Sequence, residues 1–148
     1  MIVFESDQQV VEGVEEVAPP LTTLGSLHFS QGLLGFEALR KAELLSLADA
    51  GPFCWLKFEG PDERGFLVVK PSSVVGPYRI EIGAKECESL GLQRPSEAEV
   101  LNIVTLHPNG TMTINLKGPL VFHRTTREAC QVVPLNASEL PVNYPINN

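Results

Sequence analysis

The chain has 148 residues, enough for one domain with a sizeable core, and its 43% hydrophobic content is ordinary for a globular protein. Its net charge of −7 disfavours direct nucleic-acid binding, because neutralising phosphates needs clustered Lys and Arg. The longest apolar runs are too short to span a membrane, and the N-terminus lacks the basic and apolar regions of a signal peptide. We therefore expect a cytoplasmic protein that does not associate with membranes.

Residues 1–20 form a separate acidic segment, which carries five carboxylates and no Lys or Arg. We expect an N-terminal arm that starts as an edge strand at residues 2–4. Its charge fits a basic protein partner. A solvated tail without any partner explains the same composition equally well.

Residues 21–36 predict a short strand followed by an apolar loop. Leu27 and Phe29 alternate with polar neighbours, which is the period of a half-buried strand. The loop at residues 31–36, QGLLGF, combines two glycines with three large apolar side chains. We expect these side chains to anchor in the core rather than to contact a partner.

Later strands are predicted by alternating or β-branched and aromatic runs that lie between turn residues. They are residues 53–58, 66–70, 78–82, 97–107, 111–116, 120–122 and 129–133. A helical turn followed by an extended piece is expected from residues 38–41 onward, and residues 84–90 predict a short helix that Gly91 ends. This pattern predicts a mainly β protein, an antiparallel, closed or nearly closed barrel-like domain with one or two short helices.

The stretch at residues 111–123 predicts two strands that meet at a corner. Gly118 and Pro119 interrupt the strand, because Gly permits unusual backbone angles and Pro has no N–H to donate. Asn115 precedes this corner, where its short amide can bond neighbouring backbone. Beyond residue 134 we expect an irregular tail, residues 135–148, with Tyr144 and Ile146 as anchors.

No catalytic or metal-binding pattern is present in the sequence. The three histidines lie far apart, and the three cysteines are widely spaced without a CxxC pair, so we expect free thiols. No serine lies in a nucleophile elbow. We therefore expect a binding or regulatory module that is not an enzyme and that needs no cofactor or metal.

Three alternatives remain open at this point. A small-ligand-binding or enzymatic β-barrel would need a deep polar pocket where His107, His123 and acids converge. A nucleic-acid-binding barrel would need a basic, aromatic-lined face. A structural adaptor for an unrelated partner would need neither.

The quoted stretches together resemble the family of the flagellar assembly factor FliW. The family phrase F-x-x-G-L-x-G-F stands at residues 29–36, with Leu34 where the family often has Pro. The element N-L-x-x-P-[IVL] stands at residues 115–120, and the closing strand A-x-Q-V-[VL] stands at residues 129–133. The resemblance extends over roughly residues 27–134, whereas the N-terminus is longer than the family pattern and the C-terminal tail departs from it. We therefore divide the chain into an acidic arm (1–20), a FliW-like β domain (21–134) and an irregular C-terminal tail (135–148).

The resemblance implies a partner switch carried out by a small β-barrel-like protein. Proteins of the FliW type bind flagellin in the cytoplasm and also bind CsrA, an mRNA-binding repressor of flagellin translation. When flagellin is exported, freed FliW binds CsrA and relieves repression. When flagellin accumulates, it occupies FliW and repression returns. We expect this chain to be a monomer that acts in the same way.

Our hypothesis is that the loop at residues 32–36 and the corner at residues 115–119 border the partner surface. The candidate partner-binding residues are Gly32, Leu33, Phe36, Pro71, Asn115, Lys117 and Pro119. For Asn115 and Pro119, a corner that only shapes the fold explains the residues equally well. For Phe36, a position in the core explains the residue slightly better.

Overall fold

The structure, a computed structural model, describes residues 1–6, 21–47, 51–60 and 64–146. Over these ranges it contains eleven strands, one short α-helix and three single-turn 3-10 helices. The strands are β1 (Ile2–Ser6), β2 (Leu21–Phe29), β3 (Lys41–Leu47), β4 (Phe53–Phe58), β5 (Gly65–Val69), β6 (Tyr78–Ile82), β7 (Ala98–Leu106), β8 (Met112–Ile114), β9 (Leu120–His123), β10 (Glu128–Gln131) and β11 (Tyr144–Ile146). The helix is α1 (Ala84–Leu90).

Seven of the strands close into a barrel. Strands β2 to β5 pair antiparallel in sequence order, and β5 pairs with β7. Strand β7 pairs with β9, β9 with β10, and β10 returns to β2 as a parallel neighbour. The predicted mainly β, closed barrel is therefore confirmed.

Apolar side chains from the barrel strands fill its interior. Phe29 and Phe58 are almost fully buried there, with ring centroids 5.4 Å apart. Leu56, Leu101 and Leu120 belong to the same cluster. Because these side chains occupy the space inside the strands, the interior counts against a small-ligand barrel.

A second apolar core lies outside the barrel wall. It contains side chains from β1, β6, α1, β8 and β11, packed against alternate residues of the barrel strands. On β7, Val100 and Val104 point into this outer core, whereas Leu101 points into the barrel. Strand β7 is therefore buried on both faces, which explains its nearly continuous apolar sequence.

The predicted corner is confirmed as a bulge in one long strand. Strands β8 and β9 both pair antiparallel with the same edge of β7, with Val104 opposite Ile114 and Leu101 opposite Leu120. An advance of three residues along β7 thus corresponds to an advance of six residues from β8 to β9. The extra residues form the corner at residues 115–119.

The helical turn expected near residues 38–41 is wrong. The Leu39 N–H donates to the Phe36 carbonyl oxygen at 3.0 Å in a single turn, and Lys41 already begins β3. Strand β3 pairs with β2 on one side and β4 on the other. The extended piece expected after the turn is thus confirmed as β3, whose ladder bonds on both edges outweigh the local helix propensity.

The irregular tail expected at residues 135–148 is wrong for β11, which pairs antiparallel with β8. Ile146 is 7% exposed and joins the outer core, so its predicted anchoring is confirmed. Tyr144 is 43% exposed and is not an anchor. The open edge of β8 gives this segment backbone partners that its prolines do not reveal.

The other predicted strands and the predicted helix occur in the structure. Helix α1 ends at Gly91, which has the left-handed φ of 68° typical of a helix C-cap. The N-terminal strand exists as β1 and pairs with β6, whereas residues 7–20 of the arm lie outside the described residues. Within the described ranges, the structure has no helix of the length and apolar character needed to cross a bilayer.

Candidate partner-binding site

The loop after β2 is a tight turn that depends on glycine. Leu33 and Phe36 bond each other through both backbone N–H groups, at 3.2 and 2.8 Å. Gly35 has a φ of 84° in the third position of this turn, as a type II turn requires. At Gly32 a Cβ atom would lie 2.5 Å from the Glu37 carbonyl oxygen, so no side chain fits there.

The apolar side chains of this loop divide between core and surface. Leu33 is 2% exposed and packs in the barrel core, as expected. Leu34 and Phe36 are 57% and 39% exposed, so the expected core position is wrong for both. The turn directs them outward, and the Phe36 ring packs edge-on against Phe66 with the Arg64 guanidinium 5.0 Å from its centroid.

The corner is held by the side chain of Asn115. Its Oδ1 accepts the backbone N–H groups of Lys117 at 3.0 Å and Gly118 at 2.9 Å. These bonds satisfy two backbone N–H groups that would lack a partner where the strand is interrupted. The local bonding predicted for the Asn115 amide is therefore confirmed. Pro119 is buried, whereas Asn115 and Lys117 are half-buried.

A buried polar network supports the corner from below. Asn102 is fully buried, and its Nδ2 donates to the Asn115 carbonyl at 2.9 Å and to the Tyr78 hydroxyl at 3.3 Å. That hydroxyl donates to the Leu116 carbonyl at 2.5 Å. Burial raises the pKa of Tyr78 to about 12, so its hydroxyl keeps its proton at neutral pH. The sign of this network in the sequence was Asn102 itself, an amide side chain within the apolar run of β7.

Gln131, at the end of β10, brings the loop and the corner together. Its Oε1 accepts the Leu34 N–H at 3.0 Å, and its Nε2 donates to the Gly118 carbonyl at 3.1 Å. We call residues 32–36 and 115–119 together with Gln131 the loop–corner surface. The motif at residues 129–133 contained Gln131, but only the fold shows that its side chain lies between the two segments.

The predicted site residues take different positions. Gly32, Leu33 and Pro119 are buried and shape the loop and the corner, whereas Phe36, Asn115 and Lys117 keep exposed surface. Pro71 lies apart from this surface. It is buried after the last residue of β5, whereas Phe36 contacts Phe66 near the start of that strand. The five residue steps from Phe66 to Pro71 span about 16 Å.

The histidines do not converge. His107 follows the end of β7 and bonds the Thr113 hydroxyl at 2.8 Å, whereas His123 pairs with Ala98 at the start of β7 and lies 3.3 Å from Glu97. His28 lies 3.0 Å from Glu128. Residues 1–6, 21–47, 51–60 and 64–146 contain no group of His, Cys, Asp and Glu that could hold a metal ion. This arrangement does not provide the polar pocket that a ligand-binding barrel would need.

The cysteines also show no activation. All three are free, and burial raises the pKa of the Cys54 and Cys130 thiols. Such thiols are poorly nucleophilic at neutral pH.

Comparisons with known proteins agree with one another. A family model described as "FliW protein" matches residues 14–146. The flagellar assembly factor FliW of Geotalea uraniireducens (strain Rf4) is 36% identical over 108 residues, which cover 72% of this chain and 66% of that protein. The flagellar assembly factor FliW of Syntrophotalea carbinolica is 30% identical over 134 residues, which cover 90% of this chain and 92% of that protein. A crystal structure of the flagellar assembly factor FliW matches the fold with a TM-score of 0.72, at 22% identity over 95% of each chain.

Proposed function

The chain belongs to the FliW family of flagellar assembly factors, and on that premise we propose that it acts in the cytoplasm as a partner switch. It binds flagellin as a chaperone and, when flagellin is absent, binds a CsrA-type mRNA-binding repressor and prevents repression. Flagellin that accumulates displaces the repressor. In this proposal the chain is a monomer, performs no catalysis, and needs neither metal nor cofactor.

The observation that carries this proposal is the composition of the loop–corner surface. Leu34 and Phe36 expose apolar side chains beside the half-buried polar groups of Asn115 and Lys117. An amphipathic helix presents apolar residues on one face and polar residues along its borders. A terminal helix of flagellin placed here would cover the two exposed apolar side chains and keep its polar border near the corner.

The charge distribution supports a basic second partner. Residues 1–20 carry five of the 18 acids and no Lys or Arg, whereas residues 21–148 carry 13 acids and all 11 Lys and Arg. The N-terminal arm thus contributes −5 to the net charge of −7. An RNA-binding repressor is basic on the face that meets phosphate, so acidic segments would speed its association and make it salt-dependent.

The test is a binding titration of the full chain against its cognate flagellin and its cognate CsrA, first alone and then together. We expect both to bind, flagellin to displace CsrA, and the affinity for CsrA to fall as salt rises. Leu34→Asp should weaken flagellin binding, whereas Leu106→Asp is the control, because Leu106 is also exposed but ends β7 away from the loop. Absence of binding to both partners in a folded sample would overturn the proposal, and binding of flagellin alone would remove its regulatory half.

A further inference from the structure

Gln131 makes two hydrogen bonds that connect segments far apart in the sequence. One runs from the Leu34 N–H to its Oε1, across a separation of 97 residues, and the other runs from its Nε2 to the Gly118 carbonyl. The first group is a donor and the second an acceptor, so only one orientation of the amide satisfies both. A single rigid, planar group therefore carries both bonds.

The space around this amide is filled. A Cβ atom on Gly118 would lie 3.0 Å from the Gln131 Nε2 and 3.1 Å from the Asn115 Nδ2. The two amides thus meet beside Gly118, where a Cβ atom would fit only if one of the amides moved by a few tenths of an ångström. Pro119 adds a backbone bond, since its carbonyl accepts the Val132 N–H at 2.9 Å. A shift of the corner therefore strains or breaks the bond from Gln131 to Gly118, and the same amide holds the Leu34 N–H.

We propose that Gln131 couples the loop to the corner in this chain, where Leu34 has an N–H that the Pro often found there in the family lacks. Flagellin bound on the exposed side chains of the loop then changes the affinity of the corner for the CsrA-type repressor. This inference rests on the proposed function. A ligand that draws Leu34 away from Gln131 breaks one of the two bonds that position the Gln131 amide. The amide is then free to move, and the Gly118 carbonyl loses the Nε2 donor. Such coupling is reciprocal, because each partner must alter the affinity for the other by the same factor.

Two substitutions at Leu34 separate the role of its backbone N–H from the role of its side chain. Leu34 is the second residue of the turn from Leu33 to Phe36, and Gly35 has the positive φ that a type II turn needs. Proline is favoured at this second position, so Leu34→Pro should keep the turn while it removes the N–H that Gln131 accepts. Leu34→Ala is the matched control, because it removes the same exposed side chain and keeps that N–H.

Two substitutions at Gln131 separate its bonds. In Gln131→Glu a carboxylate oxygen can still accept the Leu34 N–H, but no donor remains for the Gly118 carbonyl. In Gln131→Leu both bonds are lost at similar side-chain size. If the coupling passes through the amide, both variants should lose it, although Gln131→Glu keeps the loop in place.

The first readout needs no partner. The N–H groups of Lys117 and Gly118 bond Asn115 and so report on the corner in amide NMR spectra and in hydrogen exchange. We expect Leu34→Pro to shift these two resonances and speed their exchange, and Leu34→Ala to leave both nearly unchanged. A corner that responds equally to the two variants, or to neither, would overturn the coupling.

The second readout uses both partners. In the wild-type chain, the affinity for CsrA with and without saturating flagellin should differ by a factor of roughly 5 to 150, the usual range for coupled sites. In Leu34→Pro, Gln131→Glu and Gln131→Leu this ratio should approach one, with each partner still binding alone. If the variants keep the wild-type ratio, the coupling is refuted and the partners compete directly. If the wild-type chain binds neither partner, the proposed function fails, and the corner resonances alone decide whether Gln131 couples the two segments.

Discussion

The side-chain amide of Asn102 donates a hydrogen bond of 2.9 Å to the backbone carbonyl of Asn115, and so attaches the corner to the strand buried on both faces. Asn102 is fully buried, and its Oδ1 has no hydrogen-bond partner among the described residues. The protein therefore keeps a costly polar group in an apolar strand at the position from which it can hold the corner.

Asn102→Leu should reduce the free energy of unfolding. The leucine has a similar volume but cannot donate, so the Asn115 carbonyl loses its buried partner at a cost of about 1–3 kcal/mol. We expect a value in the lower part of that range, because the substitution also removes the unpaired Oδ1. Urea denaturation measures the change, with Gln93→Leu at an exposed position as the control. Equal stability of wild type and Asn102→Leu would mean that the network adds nothing to folding.

Tyr78→Phe should change stability in a pH-dependent way. The folded pKa of about 12 lies above the ordinary value of 10, so the hydroxyl contributes its stability fully below pH 10 and loses it as the pH rises towards 12. The stability difference between wild type and Tyr78→Phe should be constant from neutral pH to about 10 and shrink above it. Tyrosinate absorbance provides a second check. The ionisation near pH 12, which belongs to Tyr78, should be missing from the titration of the variant. A wild-type chain without this late step would contradict the buried hydrogen bond to Leu116.

Asn115→Ala should loosen the corner, because the N–H groups of Lys117 and Gly118 lose the oxygen that they share. We expect a loss of about 1 kcal/mol in stability, similar to the loss of a helix cap, and weaker binding of at least one partner. Asn115→Asp is the matched control, since its carboxylate can accept both N–H groups. Unchanged affinity of a folded Asn115→Ala protein for flagellin and CsrA would remove Asn115 from the partner surface.

Gly65→Ala should displace Trp55, the single tryptophan of the chain. A Cβ atom on Gly65 would overlap Cζ2 of the Trp55 ring, which covers the glycine across the hairpin. We expect the tryptophan emission to move to longer wavelength and to become more accessible to a soluble quencher. Gly110→Ala serves for comparison, because nothing lies within 4 Å of its Cβ position, although its φ of 87° strains the turn. Unchanged emission in Gly65→Ala would show that the ring does not cover Gly65.

Glu97→Gln should weaken the protein at neutral pH more than in acid. The backbone N–H of Gln93, followed by that of Arg94, lowers the pKa of Glu97 below its ordinary value of 4.5. A lowered folded pKa gives stability that is present above pH 4.5 and is lost as the pH falls through the folded value. The difference between wild type and Glu97→Gln should therefore narrow in acid denaturation series. Glu88→Gln, at an exposed position on α1, should change stability little at any pH.

Local patterns in the sequence predicted most of the elements. The alternation at residues 78–82 and the helix at residues 84–90 followed by Gly91 agree with β6 and α1 residue for residue. These elements could be predicted because hydrophobic periodicity, secondary-structure propensity and helix termination all depend on neighbouring residues. The turn residues before β8 and the break at Gly118 were visible for the same reason.

Other features depended on contacts between distant residues. Residues 38–41 have helix formers, yet no helical turn forms there and Lys41 already begins β3, because β2 and β4 both offer ladder bonds. Leu34 and Phe36 have the composition of core residues, yet the turn directs them outward while Leu33 enters the barrel. Strand β11 forms because β8 leaves an edge open, which the prolines of the tail do not indicate.

The sequence by itself determined the mainly β fold, the resemblance to the FliW family and the local bonding of Asn115, because each depends on residues that are close together along the chain. Only the tertiary structure decided that Gln131 lies between Leu34 and Gly118, and that Asn102 and Tyr78 support the corner from below. These contacts join residues separated by up to 97 positions, and they exist only after the strands have paired and the barrel has closed. The sequence shows that a strand carries a side-chain amide, but not which groups that amide will bond. Its hydrogen-bond partners depend on the geometry of the whole fold.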